Sequence, residues 1–281
     1  MKKKWLVLLA ALSASIVISG CGGKAGPKVD LSGMGEIHAV AREEGSGTKN
    51  EFDSMTGISD EVTKNHAKST EEAMKQVASD KNAIAYVAFN AVKIQPKGIK
   101  VVSVDTIEPT DETIGSGKYP LTRTYYLCWN GDRTPAEVDF IKYIHTAGQG
   151  FVPHYAVPIS APATFLSDKP SGNIKIAGST SMAELVKDLS AKYMEKNPSV
   201  KIDIDVTDST KGLTAAIRGE ADLAMSSRHL KSYEAELLQT EPVARDGIAI
   251  IVNAESPVQS LSKDQIQGIF SGKWKEWKEI Q

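Results

Sequence analysis

Arg42-Glu43-Glu44-Gly45-Ser46-Gly47-Thr48 follows a short apolar strand candidate at 37–40 and precedes a polar segment able to start a helix. A strand, a Gly-Ser-Gly-Thr turn and a helix start together form a ready site for an oxyanion. The glycines let the backbone turn and come close to a ligand. The first N–H groups of a helix lack internal partners and point outward, and the helix dipole adds about half a positive charge there. Ser46 and Thr48 supply hydroxyls, and Arg42 supplies a fixed charge with a planar fork of donors. Taken alone, the stretch reads equally as a capped helix after a tight turn, with Arg42 paired to a surface acid.

Working outward, strand and helix patterns alternate. A helix is expected at 71–79, with Ala73, Met74 and Val77 on one stripe, and a buried strand at 83–87. Further strands are expected at 100–104 and 124–129, separated by a polar connection at 106–118. A helix with Pro at its first turn spans 135–145, and 146–165 is irregular. Residues 166–173, Leu-Ser-Asp-Lys-Pro-Ser-Gly-Asn, read as an internal linker. The pattern then restarts: strand 174–177, a glycine-hydroxyl loop 178–181, helix 182–194, strand 200–206, polar loop 208–212, helix 213–218 and strand 221–225. That strand ends on Ser226-Ser227-Arg228. A strongly apolar strand at 247–252, a helix at 264–270 and a tail carrying Trp274 and Trp277 complete the chain. The two tryptophans read as core packing at helical spacing.

This alternation argues for an α/β fold with largely parallel sheets. Ligands of such sheets gather at the carboxyl ends of strands, where loops lead into helices. Four loops of that kind carry hydroxyls: 45–48, 178–181, 208–212 and 226–228. Hydrogen bonds to a charged group contribute about 1.5–3 kcal/mol each, so several converging ones hold a small anion at micromolar affinity or better.

Composition narrows the partners. The 281 residues are 41% hydrophobic and 24% charged, an ordinary globular balance. That length suits one large domain or two lobes of about 100–150 residues. With 33 basic and 35 acidic residues the net charge is −2, so no basic field attracts nucleic acid, and an anion needs a local site. The five histidines are scattered without metal-ligand spacing. Neither a metal nor a cofactor is expected. No Ser/His/Asp spacing or Gly-Lys-Ser/Thr phosphate loop stands out, and Glu43 and Glu44 would point to opposite faces of a strand. An enzyme is not expected.

Residues 1–21 read as a targeting segment: Lys2, Lys3 and Lys4, an apolar run, then Ile-Ser-Gly-Cys ending at Cys21. The segment resembles a bacterial lipoprotein signal cut before Cys21, which is then acylated; the other reading is a plain secretory signal with an incidental cysteine. Residues 22–35 read as a flexible tether. The second cysteine, Cys128, sits in a β-rich run and reads as a buried core thiol.

The chain resembles the phosphate-binding proteins of bacterial ABC uptake systems, in the type II periplasmic-binding-protein superfamily, over nearly all of 36–281. Arg42 to Thr48 resembles the family's Arg-x-x-x-Ser-Gly-Thr loop. Ala177-Gly-Ser-Thr-Ser181 resembles its first phosphate loop, and Asp208-Ser-Thr-Lys-Gly212 stands where the family has Gly-Ser-Gly-x-Gly. Residues 219–228, 245–253, 257–258 and 261–277 resemble the segments that follow that loop; 83–87 and 119–123 resemble those after the Arg loop. The order is reversed, because in the family the segments like 174–281 come first. This resembles a circular permutation, joined through 166–173.

The resemblance implies a two-lobe fold, each lobe a mixed, mainly parallel sheet flanked by helices. Lobe I would span 109–252, and lobe II would combine 36–108 with 253–281, with crossovers near 106–116 and 253–257. It implies inorganic phosphate held by Thr180, Ser181, Ser209 and Ser227 from lobe I and by Arg42, Ser46, Gly47 and Thr48 from lobe II. It further implies an extracytoplasmic monomer, anchored to the cell membrane through Cys21 and delivering to an ABC permease. Some family members carry Asp where Ser227 stands, and that Asp accepts the proton of monohydrogen phosphate; Asp208 and Thr210 replace common glycines. Two other readings keep the fold: a surface sensor or interaction protein without transport, and a truncated tandem whose halves complete each other between chains.

Overall fold

Residues 239–253 form one long strand around which the other elements assemble. The computed structural model describes residues 30–59, 63–93 and 96–280. In chain order the elements are β1 (His38–Arg42), α1 (Gly47–Thr56), β2 (His66–Ala67), α2 (Thr70–Ser79), β3 (Ala83–Ala88), β4 (Ile99–Val104), α3 (Asp111–Gly115), β5 (Thr122–Trp129) and α4 (Pro135–His145). They continue with β6 (Gly172–Ser179), α5 (Ala183–Lys196), β7 (Val200–Thr207), α6 (Ser209–Ile217), β8 (Leu223–Ser226), α7 (Ser232–Leu237), β9 (Gln239–Asn253), β10 (Ser260–Leu261) and α8 (Lys263–Phe270). The sheet runs β2-β1-β3-β9-β5-β8-β6-β7, with β4 on β9 and β10 on β4.

The α/β expectation holds, with a more mixed sheet than the pattern suggested. Pairs β1/β2, β1/β3, β4/β10, β6/β7 and β6/β8 are parallel. The antiparallel pairs all involve β9 or β5. Strand β9 is longer than its apolar run. Its first part, Gln-Thr-Glu-Pro-Val-Ala-Arg-Asp, lacks strand character, yet it pairs with β5 from Trp129↔Gln239 to Thr122↔Gly247. Pro242 is accommodated by a shift in register between Tyr125 and Tyr126, as expected for a proline confined to a bulge.

The apolar residues divide into two main cores. The first gathers Leu31 to Leu121 and Ile248 to Ile280, and so contains both ends of the described chain. Phe52 stacks on Tyr86 with ring centroids 3.8 Å apart, and Phe270 meets both edge-on. The second core runs from Tyr125 to Ala244 and centres on Phe140, Tyr143 and Tyr193. We call the regions around these cores the terminal half and the central half.

Three boundaries differ from expectation. Ile114, Tyr119 and Leu121 pack in the terminal core, and so do Ile248 to Val252, which pair with β3 and β4. The apolar residues change core at 121–125 and 244–248, on the paired strands β5 and β9, whereas the crossovers were expected near 106–116 and 253–257. The physical reason is that the continuous apolar run of β9 needs cover on both faces, which the terminal half supplies. Residues 30–35, assigned to a tether, carry Leu31 in the core and Met34 against it. Strand β6 begins at Gly172, inside the expected linker. Trp277 is in the terminal core and Trp274 packs against it, but they do not share a helix, since a short turn begins only at Trp277; the Trp277 Nε1–H donates to the Asn82 carbonyl at 3.0 Å. Cys21, the segment 1–21 and 22–29 lie outside the described residues.

The two ends of the described chain meet. Glu36 bridges Glu276 in antiparallel fashion, the Ile37 N–H donates to Lys275 O at 2.7 Å, and Trp277 N–H to Gly35 O at 3.1 Å.

Candidate functional site

The four hydroxyl loops converge where β9 and β5 pass between the cores. Local sequence sets each loop. Ser46 caps α1, its hydroxyl accepting from the Lys49 N–H, so Gly47 and Thr48 open the helix. Gly45 turns the chain with φ of 85°, a left-handed conformation that favours glycine. Asp208 caps α6 by accepting from the Lys211 N–H at 2.8 Å and pairs with Lys211 Nζ at 3.0 Å, so its charge is committed to the helix start. Ser209 is then the first residue of α6, earlier than the expected 213. The loop 178–181 leads from β6 into α5, and 226–228 closes β8. Helices α1, α5 and α6 thus begin at the same place.

All eight candidate residues lie in this cluster. Arg42, Ser46, Gly47 and Thr48 come from the terminal half; Thr180, Ser181, Ser209 and Ser227 come from the central half. Arg42, Ser46, Thr48, Ser181, Ser209 and Ser227 are buried. The halves touch here: Thr48 Oγ1 and Ser181 Oγ are 2.9 Å apart, and Arg42 Nη2 donates to Thr180 Oγ1 at 3.5 Å. Within the central half, the Ser179 hydroxyl donates to Ser227 Oγ at 2.9 Å, and Ser209 Oγ lies 3.3 Å from Ser227 Oγ. Gly47 packs directly on Ser209 and Ser227: a Cβ there would sit 3.0 Å from Ser209 Cβ and closer still to both hydroxyls.

Arg42 is fully buried and held by its neighbours. Nε and Nη2 donate to the two Glu43 carboxylate oxygens at 2.7 and 2.8 Å, and Nη1 donates to Thr70 Oγ1 at 2.9 Å. The Tyr86 hydroxyl accepts from the Arg42 backbone N–H at 3.1 Å. The capped-helix reading, with an acid partner for Arg42, and the anion-site reading are therefore compatible. The guanidinium's fork is fixed on one edge by Glu43, while Nη2 also reaches Thr180 of the loop 178–181.

A second buried arginine was not legible as part of this site. Arg123 on β5 pairs with Asp246 on β9, with Nε and Nη2 donating to Oδ2 at 3.0 and 2.7 Å. Its Nη1 donates to Thr48 Oγ1 at 2.8 Å and to the Ser227 carbonyl at 3.2 Å. The Tyr125 hydroxyl also donates to Asp246 at 2.6 Å. Burial and the Asp246 charge hold the Tyr125 hydroxyl protonated far above its ordinary range. The signal was the Tyr-Pro-Leu-Thr-Arg stretch at 119–123, but its meaning depends on the β5/β9 register, which no local pattern gives.

Other groups link the halves at the rim. Glu51 on α1 accepts from the His229 backbone N–H at 3.0 Å, and its other oxygen lies 2.6 Å from His229 Nδ1. Asn90 Nδ2 donates to the Ser181 carbonyl at 3.1 Å. Thr210 Oγ1 donates to the Gly45 carbonyl at 3.2 Å. Among the described residues no cluster of histidine, cysteine and acids has metal-binding geometry, and no helix is long and apolar enough to cross a membrane. Cys128 is buried as expected; burial, with Glu234 nearby, pushes its thiol up to about 12.

Comparison with known proteins gives consistent matches. The model of the PBP superfamily domain matches residues 29–147 and 163–281. A protein of Streptococcus pneumoniae called phosphate-binding protein PstS 2 is 32% identical over 294 aligned positions, covering the whole of both chains. Its namesake from Streptococcus agalactiae is 30% identical over 298 positions, covering all of this chain and 99% of its own. A crystal structure of a phosphate-binding protein of a phosphate ABC transporter from Streptococcus pneumoniae superposes with a TM-score of 0.73 at 32% identity. That superposition covers 88% of this chain and all of the other. The chain belongs to the PBP superfamily, and within it to the family of these streptococcal PstS 2 proteins.

Proposed function

We propose that this protein is an extracytoplasmic phosphate-binding protein that captures inorganic phosphate between its two halves and delivers it to an ABC importer. The observation that carries the reading is the convergence of four strand-end hydroxyl loops on a buried, pre-oriented Arg42, with residues from both halves in contact. In this reading Arg42, Ser46, Gly47 and Thr48 face the anion from one side, and Thr180, Ser181, Ser209 and Ser227 from the other. Hydroxyls and the N-terminal N–H groups of α1, α5 and α6 are pre-aimed donors, and they cost little reorganisation on binding. An anion touching both halves stabilises the closed arrangement, which couples capture to a shape a permease can recognise. The names of the relatives support phosphate as the ligand and an ABC transporter as the partner.

The two halves act as lobes, with β5 and β9 as the hinge. The meeting of Glu36 with Glu276 supports reading the chain order as a circular permutation completed within one chain, and hence a monomer. Cys21 serves as the lipid attachment that keeps the protein at the membrane. The site holds its ligand without transforming it: its acids near the cleft, Glu43, Glu51, Asp208 and Asp246, are committed to Arg42, His229, the start of α6 and Arg123.

Calorimetric titration of anion-stripped protein tests the reading. Phosphate binds with 1:1 stoichiometry at micromolar or tighter affinity. Heat with sulfate or molybdate and none with phosphate overturns the ligand assignment.

A further inference from the structure

The Arg123–Asp246 pair sits at the hinge and reaches both halves. Arg123 and Asp246 are direct cross-strand partners on β5 and β9, at the point where the chain passes from one core to the other. Both are buried, Arg123 at 1% and Asp246 at 0% exposure. Arg123 Nη1 is divided between Thr48 of the terminal half and the Ser227 carbonyl of the central half. Asp246 accepts from Tyr125 of the central half at 2.6 Å and from the Asn90 backbone N–H of the terminal half at 3.3 Å. Asn90 in turn donates to the Ser181 carbonyl.

The hydrogen-bond directions have a consequence. A hydroxyl has one hydrogen and two lone pairs. Arg123 donates to Thr48 Oγ1 and so occupies one lone pair, which fixes the hydroxyl in place and leaves its hydrogen and one lone pair for Ser181 Oγ, with the hydrogen available to an anion at the same place. The Arg123 charge is cancelled locally by Asp246, so the pair adds direction without much net field. A buried ion pair contributes little net stability, because desolvation offsets the attraction; its value lies in geometry.

We infer that Arg123, held by Asp246, is a positioning pair for anion capture: it holds the Thr48 hydroxyl in place with its hydrogen free for an anion, and ties Thr48 to Ser227 when the halves are closed. This rests on the phosphate reading above for its ligand, but not for its effect on closure.

The test is a double-mutant cycle with Arg123→Lys and Thr48→Val. Lysine keeps the charge beside Asp246 but loses the fork that reaches Thr48. Valine keeps the shape of Thr48 without its hydroxyl. Each variant is expected to weaken phosphate binding about tenfold by calorimetry. The double variant is expected to lose no more than about threefold beyond either single one, because both remove the same interaction. Multiplication of the two losses to about a hundredfold overturns the inference, since a merely structural Arg123 gives independent effects. Should Arg123→Lys fail to fold, the neutral pair Arg123→Gln with Asp246→Asn replaces it in the same cycle.

Hydrogen exchange of the full chain, followed by mass spectrometry without added anion, separates the two readings. Arg123→Lys is expected to raise exchange about tenfold in the segments around 45–48 and 226–229, with the strands of both cores unchanged. Unchanged exchange at those loops overturns the inference. If the native protein gives no heat with phosphate, the ligand reading fails and the inference is decided by exchange alone.

Discussion

Gly47→Ala separates closure from folding more cleanly than any other single change. Gly47 opens α1 with an ordinary helical backbone, so alanine fits there without conformational strain and lowers the entropy of the unfolded chain. The obstacle is across the cleft: the new Cβ falls 3.0 Å from Ser209 Cβ and well inside the contact distance of Ser209 Oγ and Ser227 Oγ. The two hydroxyls can rotate away, but they are the groups proposed to face the anion. The Ser209 Cβ can retreat only if α6 shifts from α1. Overpacking of this kind costs about 1–3 kcal/mol. At about 1.4 kcal/mol per tenfold, phosphate affinity falls between about fivefold and about a hundredfold. The melting temperature without phosphate stays the same or rises slightly, and the further rise on adding phosphate shrinks. Calorimetry and thermal unfolding of the same preparation read both quantities. Native affinity in Gly47→Ala refutes the claim that these loops meet around the ligand. A large loss of stability without phosphate refutes the claim that the contact belongs to closure alone.

Three further outcomes follow from the same geometry. Arg42→Ala removes the site's oriented guanidinium and leaves Glu43 without its partner beside the anion; phosphate affinity drops at least about a hundredfold by calorimetry, and Arg42→Lys recovers only part of it. Glu51→Gln weakens the rim link to His229, whose side chain is 66% exposed; affinity falls no more than about fivefold, and the difference from native narrows as salt is raised. For Glu234, burial opposes the charge, but hydrogen bonds from Arg228 and the Lys231 backbone outweigh it and hold the carboxyl below its ordinary value of 4.5. A lowered folded value stabilises the fold fully above 4.5, and the contribution is lost as pH falls through the folded value. Glu234→Gln is therefore less stable than native at neutral pH, and the gap in urea midpoints closes in acid.

The loops were legible because their chemistry is local. A strand, a Ser/Thr turn and a helix start can be read within ten residues, as at Gly45 to Thr48 and at the polar loop 208–212. The helix at Pro135–His145 was equally plain from Pro at its first turn, and the structure adds a Thr134–Glu137 capping box. What escaped depends on register between distant segments. Arg123 faces a partner 123 residues away, and only the register of β5 on β9 sets it opposite Asp246. The first part of β9 was missed because its polar residues and proline argue against a strand; pairing with β5 supplies what propensity does not. The core that Ile248 to Val252 join was not legible for the same reason, since the apolar run after Asp246 carries no local mark of it.

Diffraction from crystals grown with phosphate shows directly where the anion sits. One phosphate is expected between the start of α1 and the loops at 178–181, 208–212 and 226–228, hydrogen-bonded to Arg42 and to at least one hydroxyl from each half. A phosphate ordered only elsewhere, or bound by one half alone with the cleft open, would contradict that placement.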